Sequence, residues 1–250
     1  MTPLKTLGWQ RFPADARSRA WAGAARAEGL RVLADPAMRA QWLQCEGTWF
    51  VGVDALANAV DGAIGGVPLG GLAVDALGPL PPLHRAQLSV VFPGYPRPRA
   101  GESEAAFRYR RDRAAAHVDG ITAEGAERRR QVTEPHGFIL GIGLSEADPQ
   151  AAPLTVWEGS HRVMREALRG PIEAGQADVT EAYVAGRRRV FETCPRIAVA
   201  LQPGEAVLLH RLTLHGITPW ENGASAAPEG RMTAYFRPVV SPDLRQWLGI

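Results

Sequence analysis

His117-Val118-Asp119 sets an imidazole and a carboxylate two residues apart, and in an extended segment both side chains leave on the same side. Six histidines and 26 acidic residues in a chain of 250 produce about 0.6 such pairs by chance, so the pair has meaning only with distant support. Support exists in "PGEAVLLHRLTLHGITPWENG" (203–223), where His210 and His215 each offer a second imidazole. Two imidazoles and one carboxylate on one triangular face hold Fe(II) and leave three positions open, enough for a bidentate oxo-acid and dioxygen (O2). A dicarboxylic oxo-acid also needs its remote carboxylate neutralised. In "RMTAYFRP" (231–238) strand alternation sends Arg231, Thr233 and Tyr235 to one face, and Met232, Ala234 and Phe236 to the other. An arginine beside a hydroxyl grips a carboxylate through charge-assisted hydrogen bonds. Arg237 lies on the same alternating face.

The same donor set also suits catalytic zinc, so a zinc-dependent hydrolase is one alternative. No HExxH helix is present, however, and hydrolysis gives no reason for an arginine and a threonine on the strand after His215. A non-catalytic, cupin-like metal- or small-molecule-binding protein is the other.

These residues need a scaffold that brings distant strands together. Short apolar runs with turn residues between them recur at 86–92, 136–144, 152–159, 196–202, 205–210 and 231–238, the texture of an all-β sandwich or jelly roll rather than a βαβ sheet. Before them, Pro13 to about Leu30 is Ala/Arg-rich and reads as a helix closing near Gly29; Asp35-Pro36 reads as an N-cap followed by proline at the first helical position. The low-charge, glycine-rich stretch Gly62–Gly78 reads as loop, with one short helix after Asp54. In "DVTEAYVAGRRRVFETC", Tyr183, Val190 and Cys194 recur at helical spacing, placing Cys194 on a buried stripe. The expected organisation is one domain over 1–250. Its helical and loop part, 1–80, packs on a core at 85–240, with a helical insertion near 163–194.

Composition limits the partners. Net charge is +2 and the pI near 8.8, too mild to imply nucleic acid. Neither a signal-like apolar run nor the ~20 apolar residues of a membrane helix occurs. The expectation is a soluble, cytoplasmic protein acting on a small molecule, not on nucleic acid or a membrane. Cys45 and Cys194 are far apart and in no metal-binding spacing, which suggests two buried free thiols. Lys5 is the only lysine among 28 basic residues. The arginine runs 108–113 and 128–130 flank His117, and guanidinium forks match carboxylate and phosphate, so an anionic substrate is favoured.

Taken together, "HVDG" (117–120), "WEGSHR" (157–162) and "PGEAVLLHRLTLHG" followed by "RMTAYF" resemble the iron(II)/2-oxoglutarate-dependent dioxygenases, in particular their phytanoyl-coenzyme A dioxygenase-like branch. The resemblance spans Gln87 to Pro238. It implies a mainly β fold with flanking α-helices, built on a double-stranded β-helix (jelly-roll, cupin-like) core. Fe(II) would be held by His117, Asp119 and His215, the histidine before glycine being preferred over His210. Arg231, with help from Thr233, would hold the co-substrate 2-oxoglutarate. The implied activity is oxidation of an unactivated C–H bond of a small metabolite, by hydroxylation or a related reaction, with release of succinate and carbon dioxide. Asp119 argues against halogenation, which needs a small residue there. His161, in the Gly-Ser-His turn, reads as turn packing or pocket lining, and His84 and His136 as structural or exposed. Trp157 reads as core or pocket wall, while Gln87 and Ser89 alternate on a strand that can face the pocket.

Overall fold

The computed structural model describes residues 2–249. Its strands are β1 (Trp9–Phe12), β2 (Leu43–Gln44), β3 (Trp49–Gly52), β4 (Gln87–Val91), β5 (Ile121–Glu124), β6 (Arg129–Val132), β7 (Phe138–Gly143), β8 (Leu154–Trp157), β9 (Arg196–Val199), β10 (Ala206–His210), β11 (His215–Ile217) and β12 (Arg231–Phe236). They form a seven-stranded sheet in the order β1-β10-β7-β12-β4-β3-β2, a three-stranded sheet β11-β8-β9 and the hairpin β5-β6. All pairings are antiparallel.

Both faces of the large sheet are covered, which explains why all six residues of β12 are buried. Met232, Ala234 and Phe236 face outward into a cluster with Trp21, Ala22 and Ala25 of the helix Ala16–Ala34. Burial of one such aromatic is worth about 1.5–3 kcal/mol, so this helix is part of the core rather than a covering. On the other face Ile139, Val207, Leu209 and Tyr235 meet Leu154, Val156 and Val199 of the small sheet. Mainly β, with flanking helices and two facing antiparallel sheets, the fold is the expected double-stranded β-helix.

Several expectations change in detail. The first helix runs to Ala34 and does not close at Gly29. A Cβ at Gly29 would come 2.9 Å from Met232 Sδ and 3.2 Å from Leu88 Cδ1, so that glycine permits close helix-on-sheet packing instead of ending the helix. Asp35 does cap the next helix, Pro36–Trp42, accepting from Ala37 N at 2.8 Å. The short helix in the glycine-rich stretch is Leu72–Leu77. The first 52 residues also supply β1, β2 and β3 to the large sheet, where helix and loop alone were expected. Cys45 is buried, but Cys194 is half-buried, because it is the C-cap of Thr180–Thr193 rather than a member of its apolar stripe.

Candidate metal centre

His117 and Asp119 stand in the turn leading to β5, and His215 opens β11. A two-residue antiparallel bridge joins them: His117 N donates to His215 O at 2.9 Å, and His215 N to His117 O at 3.0 Å. The segment before His117 turns sharply, with Ala114 and Ala115 at φ 55° and 49°, a conformation that costs non-glycine residues about 1–3 kcal/mol each. Two glycines allow close approach. A Cβ on Gly120 (φ +78°) would land on the Glu134 carbonyl oxygen, and one on Gly216 on the Ala114 carbonyl oxygen. The hydroxyl of Tyr183 accepts from Val118 N at 3.2 Å, which holds the residue between His117 and Asp119 from the helix behind it.

The ligand atoms of His117, Asp119 and His215 all lie within 4.8 Å of one another. His117 Nε2 is 3.0 Å from Asp119 Oδ1, and His215 Nε2 is 3.6 Å from Asp119 Oδ2. Each imidazole donates Nδ1–H to a carbonyl two residues upstream, at 2.9 Å, Ala115 O for His117 and Thr213 O for His215. Those bonds place a proton on Nδ1 of each ring and turn both Nε2 atoms toward Asp119, the orientation metal-binding histidines require. Burial alone would raise the Asp119 pKa, yet His215 and His117 hold it well below the ordinary value. The cavity wall desolvates His117 and pushes its pKa down, but Asp119 outweighs this and the net shift is upward.

The group opens into a cavity of about 220 Å³, lined mostly by apolar side chains with Gln87, Ser89 and Arg237 among them. Trp49, Val51, Tyr95 and Tyr235 complete much of the wall. Burial pushes the Tyr95 hydroxyl up to about 12, and it has no hydrogen-bond partner. Pairing register puts Thr233 opposite Ser89 and Tyr235 opposite Gln87, so Arg231 and Thr233 share the strand face of Tyr235, but they lie beyond the residues that line the cavity itself. Arg231 Nη1 donates to Thr233 Oγ1 at 3.1 Å, while its Nε and Nη2 are buried without partners. A buried guanidinium with two unpaired donors is costly, and an incoming carboxylate would satisfy it.

His210 is elsewhere. Its ring lies 5.0 Å from that of His161, its Nδ1 accepts from Leu212 N at 3.1 Å, and burial pushes its pKa down to about 3. The Gly-Ser-His segment is the start of the helix Ser160–Glu173, not a turn between strands. Its Ser160 hydroxyl accepts from Leu214 N at 2.9 Å, anchoring the residue before His215. Trp157 belongs to a core cluster with Tyr183 and Leu214. His136 is buried, and that burial lowers its pKa, whereas His84 pairs with Asp54 at 3.0 Å. The arginine runs do not line the cavity. Arg110 makes a buried ion pair with Glu102, and Arg113 and Arg187 lie 4.8 Å over the rings of Phe191 and Tyr109. Arg237, set next to Pro238 at the end of the strand pattern, is the arginine that does line it. Tyr95 and Trp49 carry no signal in the sequence because neither lies near a motif.

No family model matches the chain, and no curated protein does. Solved structures do. The non-heme, α-ketoglutarate-dependent carbocyclase SnoK from nogalamycin biosynthesis superposes with a TM-score of 0.54 at 14% identity, covering 94% of this chain and 81% of SnoK. EctD from S. alaskensis with bound Fe gives 0.48 at 18% identity, covering 94% and 73%. AviO1 from Streptomyces viridochromogenes gives 0.47 at 16% identity, covering 96% and 94%. The chain thus shares the fold of a non-heme, α-ketoglutarate-dependent enzyme and carries a His-Asp-His group in its central cavity.

Proposed function

We propose that this protein is an Fe(II)- and 2-oxoglutarate-dependent oxygenase that oxidises a C–H bond of a small metabolite. The observation that carries this reading is the pairing of a His-Asp-His group whose two Nε2 atoms converge on one carboxylate with a buried Arg231 that has two unpartnered donors, on the same strand as the cavity-lining Tyr235. By itself the His-Asp-His group also suits zinc, and by itself the buried arginine suits any small anion. Together they match one small molecule that chelates a metal at one end and carries a carboxylate at the other.

In this reading His117, Asp119 and His215 hold the iron, and the two backbone carbonyls that accept Nδ1–H keep the imidazole rings aimed. Arg231 neutralises the remote carboxylate of 2-oxoglutarate, and Thr233 positions the guanidinium while donating its own hydroxyl hydrogen to the same carboxylate. The iron with its co-substrate supplies the oxidative chemistry, coupling loss of carbon dioxide and formation of succinate to substrate oxidation. The protein contributes orientation and a largely apolar wall that excludes water. Hydroxylation, desaturation and demethylation are alike compatible with this division of labour, as is membership of the phytanoyl-coenzyme A dioxygenase-like branch.

The test is succinate formation from 2-oxoglutarate by anaerobically reconstituted protein on admission of oxygen. Iron- and oxygen-dependent succinate is expected, slow without substrate. Turnover with zinc in the absence of oxygen would point to hydrolysis instead. No turnover across a broad metabolite library would point to a binding protein.

A further inference from the structure

Arg237 stands where two cavities meet. It lines the 220 Å³ cavity of the His-Asp-His group and also a second cavity of about 260 Å³, which it shares with Val53 as a common wall. Its side chain is 20% exposed, and its Nε is buried without a hydrogen-bond partner. The approach of Nη1 to Asp119 Oδ2, 3.7 Å, is too long for a hydrogen bond. The second cavity also carries carboxylates, Asp54 and Glu134, but both are more than half exposed and each lies against its own histidine, His84 at 3.0 Å and His136 at 3.2 Å. Neither takes up the Arg237 charge. The backbone places the residue firmly, because Arg237 N donates to His84 Nε2 at 2.8 Å.

Charge counting gives the residue a task. On the function proposed above, on which this step rests, ferrous iron, the Asp119 carboxylate, doubly ionised 2-oxoglutarate and the Arg231 guanidinium sum to zero. Arg237 then leaves one positive charge in a confined, largely apolar site. A half-buried charge of this kind is favoured when a counter-ion arrives with the ligand, and a neutral ligand would leave it without one.

We infer that Arg237 is the specificity-determining anchor for the substrate, and that the substrate is a small organic acid whose carboxylate binds at the junction of the two cavities. The carboxylate end is then held beside the metal, and the rest of the molecule extends into the 260 Å³ chamber.

The probes are isobutyrate and its neutral isostere isobutyramide. Each is titrated under nitrogen into protein loaded with Fe(II) and 2-oxoglutarate, followed by the visible iron-to-oxo-acid absorption, and separately into metal-free protein by calorimetry. Isobutyrate should bind at least tenfold more tightly than the amide. Arg237→Gln should abolish that preference and Arg237→Lys should retain part of it. In the metal-free arm the preference should survive Arg231→Met and vanish in Arg237→Gln, which separates this site from the co-substrate's. Failure of the absorption to develop with 2-oxoglutarate would count against the proposed function, and the metal-free arm would still read Arg237. Equal affinity for the two probes, or a preference that persists in Arg237→Gln, overturns the inference. So does an Arg237→Gln protein that loses iron or 2-oxoglutarate while keeping the preference, since Arg237 would then serve Asp119 or the co-substrate.

Discussion

His117 and His215 exchange both backbone hydrogen bonds, at 2.9 and 3.0 Å, although 98 positions separate them in the chain. The two imidazoles are thereby held with ring centroids 4.8 Å apart before any metal arrives. Metal binding need not draw the distant strand in, so the ligand geometry is preorganised by the sheet.

Removal of either imidazole should abolish this advantage. His117→Ala and His215→Ala are each expected to weaken Fe(II) binding by more than about 100-fold, beyond the 10–100-fold typical for outer-shell partners. His210→Ala, at a histidine packed on His161, should leave it almost unchanged. Anaerobic metal titration checks this, and iron loss in the His210 variant alone would refute the ligand assignment.

Arg231 makes opposite predictions for stability and for binding. Arg231→Met should raise the melting temperature of the metal-free protein, because it removes a buried guanidinium with two unpaired donors. It should also weaken 2-oxoglutarate binding by about 2–5 kcal/mol, as truncation of a buried charge pair does. Thr233→Val should cost about 1.5–3 kcal/mol of affinity. Met232→Leu, on the opposite face, should cost nearly none. Titration under nitrogen with iron occupancy verified reads all three.

Acidity should compete with the metal at a pH set by Asp119. Partial desolvation by the cavity wall pushes the His117 pKa down, although its side chain is 48% exposed, but the hydrogen bond and charge of Asp119 prevail and raise it above 6.5. In metal-free protein the stabilisation from that shift is complete below 6.5 and fades as pH rises through the raised value. The Asp119 contribution is complete above 3.8 and fades as pH falls through its depressed value. Protonated imidazole cannot ligate, so Fe(II) affinity should fall as pH drops through the raised His117 pKa, by up to about tenfold per unit. Affinity independent of pH from about 5.5 to 8.5 would contradict a histidine ligand with this shift.

Gly216 offers a backbone test. Gly216→Ala drives a methyl group into the Ala114 carbonyl oxygen, at the strained turn that delivers His117. Loss of about 3 kcal/mol of stability, the upper end of overpacking effects, should accompany weaker iron retention. Chemical denaturation and metal titration on the same protein measure both, and a variant of unchanged stability would show that the turn can relax.

Much of the scaffold was legible because the patterns are set by what covers each face. In β12 the alternation of Arg231, Thr233 and Tyr235 with Met232, Ala234 and Phe236 follows from a cavity on one side and a helix on the other. Gly29 misled for a physical reason: glycine after an apolar stripe usually ends a helix, whereas here it makes room for Met232 and Leu88. β1 is only four residues long, and its strand character comes from pairing with β10, which no local pattern announces. Asp119 and the two histidines could be found from spacing and resemblance. The second cavity could not, because Asp54, His84, Glu134 and Arg237 come from four separate segments.

The N-terminal segment closes the edge of the large sheet and ties down the loop that leads to His215: β1 pairs with β10, Gly8 O accepts from His210 N at 2.8 Å and Thr213 Oγ1 at 2.6 Å, and Leu7 O accepts from Gly159 N at 2.7 Å. Deletion through Phe12 would expose the buried, apolar β10 as a free rim, the kind of template on which other molecules add strands. Self-association should follow, detectable by light scattering, and the loop carrying Thr213 O, which orients His215, would lose its tether. Handling of the first dozen residues in any recombinant form therefore bears on both colloidal behaviour and iron content.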